Sequence, residues 1–387
     1  MLAASRLPKS TAMQTERKKI IVLGGGYAGL STAVLLSRSG KFQVTLVDSR
    51  ERFLNQIHLH KTVSEPIDHF QIPYTELADR FDFQFLPGKI DTASLDLAKL
   101  ETNGRIRVMS EELQFDYLAI CTGARARSHD SGHHIYTLDY LKEHGGEGIV
   151  SEAMVTREHT TITVIGGGAT GIQFLFELHD FLRKKSGRFK FQIVQMDDRL
   201  VPGMPRAFHN YTMKRLKDRG IECYLSTRFI EAANNQLKLE GPDGSSEISS
   251  DLTLMLSGVE PVPELLRCNV YGQLLLNGRP SNRIFAAGDC SVYEGSGLNS
   301  FTAQTAVRKG RTIASNIEAL DANKPMSRYK YQELGYFLSL GPWDGIGWIV
   351  FPFNTIAGPP AFAIKEAIEM QFQFFLKGLD TYIDWLS

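Results

Sequence analysis

The chain carries one glycine signature twice, and that repeat restricts its fold more than any other feature of its 387 residues. Lys18 to Leu23 is a β-prone run that ends in Gly24-Gly25-Gly26-Tyr27-Ala28-Gly29. A helical pattern follows, with Leu30, Ala33, Val34 and Leu36 on one side, until Gly40 stops it. Phe42 to Val47 then alternates as a second strand ending at Asp48. The same unit recurs as a strand at Thr161 to Ile165, the turn Gly166-Gly167-Gly168-Ala169-Thr170-Gly171, a helix at Ile172 to Leu182 and a strand at Phe189 to Met196. In each G-x-G-x-x-G the first glycine permits a tight turn, the second admits a pyrophosphate, and the third lets helix and strand pack closely. The free N–H groups and positive end of the helix then hold the diphosphate. Two merely flexible glycine loops would not explain the strand and helix periodicities around both turns. The expected fold class is α/β, with two Rossmann-like dinucleotide-binding domains.

Further strands are expected at Phe115 to Ile120, before the turn Cys121-Thr122-Gly123-Ala124, and at Leu252 to Leu256, before Ser257-Gly258-Val259-Glu260-Pro261. Ile284 to Ala287 is another, ending in Gly288-Asp289, and a helix is expected from Thr302 to Ile317. Ala361, Ile364, Ile368, Phe372, Phe375, Leu379, Tyr382 and Leu386 recur at helical spacing and predict one stripe over 361–386, with Gly378 a point of interruption.

Composition closes off other classes of function. Lys plus Arg and Asp plus Glu both count 43, so no global field draws the chain to nucleic acid or anionic lipid. The four cysteines, Cys121, Cys223, Cys268 and Cys290, form neither a C-x-x-C pair nor a zinc spacing and read as reduced thiols. Residues 1–17 lack the apolar stretch of a secretory signal and are expected to form a disordered arm; a short organelle transit peptide is the other reading of their composition. The uncharged stretch from Gly345 to Ile364 is long enough to span a bilayer, but Pro352, Pro359, Pro360, three glycines and Asn354 would break the helix that lipid demands.

Asp48 stands where a carboxylate accepts hydrogen bonds from ribose hydroxyls, which suits the first unit to FAD or NAD. In the second unit Gln195 takes the acid's place, so NADPH is expected beside NADH, with Arg199 as a candidate phosphate contact.

These motifs in this order resemble the FAD-dependent pyridine nucleotide oxidoreductases, and within them the type II NADH dehydrogenase (NADH:quinone oxidoreductase) group and its apoptosis-inducing-factor-like relatives. The resemblance covers about residues 18 to 377. It rests on Gly24 to Gly29 with Asp48, "AICTGA" at 119–124, Gly166 to Gly171, "SGVEP" at 257–261, "IFAAGDC" at 284–290 and "TAQTAVRKG" at 302–310. It implies a glutathione-reductase-like architecture: a discontinuous FAD-binding domain over 18–150 and 268–330, an NAD(P)H-binding domain over 151–267, and a C-terminal α-containing region over 331–387 that docks on a membrane and frames quinone entry. FAD would lie on Gly24, Gly26, Tyr27, Ala28, Gly29, Asp48, Thr122 and Gly123, with Gly288 closing over it and Asp289 on its ribityl chain. NADH or NADPH would lie on Gly166, Gly168, Thr170, Gly171, Gln195 and Gly258. Ala303 and Gln304 would sit beside the isoalloxazine ring, where a helix N-terminus offsets the negative charge gathered on reduction.

The chain departs from the group at Gln173, where a glutamate is usual, and at Gln195. Glu177, one helical turn after Gln173, is the candidate substitute for the missing carboxylate, with a helix-surface acid as its plainer reading. His58 and His60, on what reads as an extended segment, are expected to pack or to hydrogen-bond a cofactor rather than bind metal; no other ligand cluster accompanies them in the sequence.

The activity this implies is hydride transfer from NAD(P)H to FAD and then two electrons to a quinone, without proton pumping. The resemblance places the enzyme in the cytoplasm, peripheral on the inner face of a membrane, with organelle import and a homodimer as further readings. A soluble iron–sulfur acceptor would call for a charged docking face, whereas Phe372, Phe374, Phe375 and Trp385 make the C-terminus apolar. Lys365 and Lys377 are the only cations in that stripe, so any membrane contact would be apolar. A flavin-bearing redox sensor is the alternative outside enzymology, favoured by the acid missing at both Gln173 and Gln195.

Overall fold

A computed structural model describes residues 17–126, 134–155, 159–261, 265–295, 299–330 and 333–382. The expected arm at 1–17 falls outside these but for Arg17, as do Trp385 and Leu386.

The first glycine unit sits in an eight-stranded sheet. Its order runs Ser291–Tyr293, Leu266–Cys268, Gln273–Leu276, Arg279–Ala286, Tyr117–Ile120, Lys18–Leu23, Phe42–Asp48, Gln84–Pro87. From Arg279–Ala286 onward the neighbours pair in parallel. The nearly continuous apolar runs of these strands are what a sheet covered on both faces requires. The second unit sits in a five-stranded, wholly parallel sheet ordered Ile135–Thr137, Leu252–Met255, Thr160–Ile165, Phe189–Val194, Glu222–Tyr224. Both sheets match the expected α/β class.

Two principal apolar cores correspond to these sheets. The chain's last elements belong to both. Gly335–Ser339, Gly345–Ile349 and Phe351–Ala357 form an antiparallel sheet, so part of the uncharged stretch is a hairpin. From it Leu338, Leu340, Ile346 and Trp348 enter the second core. The helix Pro359–Leu376 follows and sends Phe372, Phe375 and Leu376 into the first core. That helix is shorter than the expected stripe, because Gly378 takes φ +94, a left-handed conformation that ends helices.

Candidate functional site

The two glycine turns match bond by bond. Gly24 N donates to Val47 O at 2.7 Å, and Gly166 N to Val194 O at 2.8 Å. A Cβ on Gly24 would lie 2.4 Å from Cys121 O, and one on Gly166 would lie 2.3 Å from Leu256 O. A Cβ on Gly29 or Gly171 would come within 1.8 or 1.9 Å of the first glycine's carbonyl oxygen, so the third glycine is what lets each helix start against its strand. The middle glycines differ: a Cβ on Gly26 or Gly168 would meet nothing within 4 Å. Each of these caps a helix, Tyr27–Arg38 or Ala169–Leu182, with no side-chain cap and no acid in the first turn. Open space in front of free N–H groups is a cradle for a diphosphate.

Around the first turn the structure gathers elements from the whole length of the chain. Asp48 Oδ2 accepts from Gly25 N at 2.6 Å, and its Oδ1 accepts from Arg50 N at 2.8 Å. Tyr74, at the start of the helix Tyr74–Phe81, donates to Gly25 O at 2.8 Å. Tyr27 donates to Asn55 Oδ1 at 2.7 Å and packs edge-on against Phe53 and Phe372. The helix Ala303–Asp321 lies on Tyr27–Arg38 so closely that a Cβ on Gly310 would come within 2.4 Å of Ala28 O. Gly288 stands where a Cβ would touch Ala28 and Ala306, which brings Gly288, Asp289 and the start of the Ala303 helix to the first turn. Ala303 and Gln304 are half-buried there, and Thr302 caps their helix by accepting from Thr305 N.

These groups fit a bound FAD. Thr122 Oγ1 is buried with no hydrogen-bond partner among the described residues, and Gly123 faces open space. Burial pushes the Asp289 carboxyl up to about 6, against the pull of Lys309 and Lys142. Lys309 is itself buried, donates to Ser291 O at 2.7 Å, lies over the Tyr293 ring and is pushed below its usual range by burial. Nothing local marks Tyr74 or Asn55 in the sequence, whereas Lys309 falls within TAQTAVRKG.

The second turn opens instead on a cleft of about 440 Å³ lined by Gly166, Gly168, Thr170, Gln195, Asp197, Thr227, Arg228, Phe229 and Gly258, among others. Gly171 lies behind it, under the helix. Gln195 Oε1 accepts from Gly167 N at 2.7 Å, taking the place of Asp48 in the first unit. Arg199, the candidate phosphate contact, donates to the carbonyl oxygen of Pro202, a residue of the cleft wall. Arg228 is the arginine that lines the cleft.

Gln173 and Glu177 lie on the same helix but face a separate junction. Gln173 donates to Ser339 Oγ at 2.9 Å, and Ser339 Oγ lies 3.3 Å from His60 Nε2. Glu177 is not a surface acid: it is buried among the segment Gln56–Val63 and the C-terminal helix, and burial pushes its carboxyl up to about 7 against the pull of Lys61 and Lys365. The sequence alone does not reveal this, since Thr170, Gln173, Glu177 and Asp180 share one polar face of the helix, and it is the packing of Gln56–Val63 that covers it.

Gln56–Val63 is a 3₁₀-helix rather than an extended segment, and it buries both histidines. His58 Nε2 lies 2.8 Å from Glu369 Oε2, Lys365 Nζ 2.6 Å from Glu369 Oε1, and Lys61 Nζ 2.6 Å from Glu366 Oε2. Burial would raise Glu369, but His58 and Lys365 hold it below the usual carboxylate range. Burial, then Lys365 and Lys61, push His60 well below its usual range, so it is neutral. His58, Glu366 and Glu369 thus come close enough together to ligate an ion, which the sequence did not suggest. Two lysines already neutralise the two carboxylates, so a cation would have to displace them.

The family profile described as "Pyridine nucleotide-disulphide oxidoreductase" matches residues 18–310. The Type II NADH:quinone oxidoreductase of Staphylococcus aureus (strain MSSA476) is 23% identical over 408 residues, covering 95% of this chain and 98% of that protein. Among solved structures, the sulfide:quinone oxidoreductase of Aquifex aeolicus superposes with a TM-score of 0.76 at 17% identity, covering 93% of this chain and 92% of that one. NDH2 from Plasmodium falciparum in complex with NADH gives 0.72 at 15% identity, covering 93% and 97%. With its two matched dinucleotide cradles, the chain belongs to the pyridine nucleotide-disulphide oxidoreductase family, as a flavoenzyme that uses FAD and NADH.

Proposed function

We propose that the protein passes reducing equivalents from NADH to a quinone at the cytoplasmic surface of a membrane, without moving charge across it. FAD, when bound, supplies the two-electron redox chemistry. The chain's own contribution is to hold the nucleotide on the Gly166–Gly171 turn, to keep the Asp289 and Gln304 side chains at the first turn, and to exclude water with the C-terminal helix.

The observation that carries the quinone and membrane reading is the surface beside that helix. Trp343, Val350, Phe351 and Phe353 stand out from the C-terminal sheet and its turns, Phe353 at 83% exposure, and the Phe351 and Phe353 rings stack with centroids 5.4 Å apart. Ile368, Met370, Phe374 and Leu379 are also exposed on the segment that follows. A patch of this kind marks an interaction surface, and burying one phenylalanine contributes roughly 1.5–3 kcal/mol. With Lys365 buried in its ion pair, the stripe offers a lipid surface only the exposed Lys377, so the attraction is chiefly apolar. Among the described residues no helix is long and apolar enough to cross a membrane, which favours a surface position. The same exposed apolar face weighs against a soluble iron–sulfur acceptor.

The test is steady-state oxidation of NADH by the FAD-loaded enzyme with a soluble quinone. Repeated turnover is expected; reduction that halts after one equivalent would favour the redox-sensor reading. For docking, Phe351→Glu with Phe353→Glu should release the protein from liposomes while soluble-quinone turnover persists, and unchanged sedimentation would count against the surface. Truncating the C-terminal helix is no substitute, because it removes Phe372, Phe375 and Leu376 from the first core.

A further inference from the structure

We infer that Asp197, held in place by Gln195, accepts the hydroxyls of the adenine-side ribose and makes the second site select NADH over NADPH. The inference rests on the nucleotide site of the proposed function, not on the identity of the acceptor.

Gln195 itself cannot take the role of a ribose acceptor. It is buried, its Oε1 is committed to Gly167 N at 2.7 Å, and its remaining polar atom is an amide nitrogen, which donates only. That nitrogen donates to Asp197 Oδ2 at 2.5 Å. The backbone on either side is pinned as well, since Ser226 N donates to Asp197 O and Thr227 N to Gln195 O, both at 2.9 Å. The carboxylate is therefore oriented by one bond, lines the cleft beside Gly168 and Thr170, and is exposed with acceptor positions unused among the described residues. The glutamine does not leave the pocket neutral. It relocates the negative charge two residues along the chain.

A carboxylate at this place accepts from both ribose hydroxyls of NADH and repels the 2′-phosphate of NADPH. The opposing influence is Arg228, an exposed guanidinium lining the same cleft, which would favour a 2′-phosphate. Asp197 is the group with a fixed orientation, so it is assigned the discrimination.

Calorimetric binding of ADP-ribose and of 2′-phospho-ADP-ribose to the FAD-loaded enzyme tests this without any redox turnover. The wild type should bind ADP-ribose at least tenfold more tightly. Asp197→Asn should weaken ADP-ribose about tenfold and narrow the gap, with the flavin spectrum unchanged, and Gln195→Glu added to Asp197→Asn should restore it. Equal or tighter binding of 2′-phospho-ADP-ribose by the wild type, lost in Arg228→Ala, would overturn the inference. So would identical binding of both probes by Asp197→Asn and wild type. A protein that binds ADP-ribose as stated yet fails to turn over with quinones refutes the quinone reading alone.

Discussion

The two glycine units share a backbone and differ in what surrounds it. At the end of the second strand the first unit carries Asp48 and, two positions on, Arg50; the second carries Gln195 and Asp197. Both pairs hold the middle of their glycine turn by the same N–H bond. The first unit has its acid under a cover of helices and aromatic rings, while the second has its acid on the rim of an open cleft. A covered cradle suits a group that stays, and an open one suits a group that must arrive and leave with each turnover. One supersecondary unit thus serves two kinetic roles through what is packed upon it.

Filling each cradle in turn should separate the two roles most strongly. Gly26 and Gly168 have φ of −72 and −74, open to any L-residue, and space in front of them. Gly26→Val should purify without flavin absorbance. Gly168→Val should keep its flavin and its unfolding midpoint yet raise the KM for NADH a hundredfold or more. Equal loss of flavin in both variants would mean that the units are not specialised as described.

Glu177 offers the next largest effect. Its carboxyl rises from 4.5 to about 7 on folding, so between those values the folded state holds more protons than the unfolded one. Stability therefore falls as pH rises through that window, by on the order of 3 kcal/mol from this group, and levels off above pH 7. Glu177→Gln should remove that slope, gaining on the wild type in urea melts at pH 8 but not at pH 4.5. A parallel pair of curves would show that the buried acid is not the source.

The smallest change sharpens the acid at the covered turn. Asp48→Asn keeps the size and an acceptor oxygen but loses the charge that Gly25 N and Arg50 N converge on. Flavin retention should weaken by about 1–3 kcal/mol, read as a roughly five- to 150-fold faster loss on dialysis.

Much of this was legible in the sequence, because the glycine turns and their strands are local patterns whose periods differ. The junction was not. His58 and Glu369 are 311 positions apart, and no local period records such a pairing. Glu177 reads as a surface acid for a related reason: it lies on its helix's polar face with Thr170, Gln173 and Asp180, and only the distant segment Gln56–Val63, packed on that face, buries it. The relocated charge at Asp197 was hidden because Gln195 marks only where an acid is missing, and finding its replacement needs the direction of one amide bond.

The helix and sheet that share themselves between two cores have a consequence for biosynthesis. Translation delivers the first glycine unit early, but the residues that complete its core, Phe372, Phe375 and Leu376, come after almost all the rest. Leu338, Ile346 and Trp348 reach the second core equally late. Neither half can complete its core before residues 335–376 are made, so the two fold together and not one after the other as separate domains do. The wall of the first cradle at Tyr27 is therefore finished only when Phe372 has packed against it, which ties the shape of the cofactor site to the folding of the C-terminal helix.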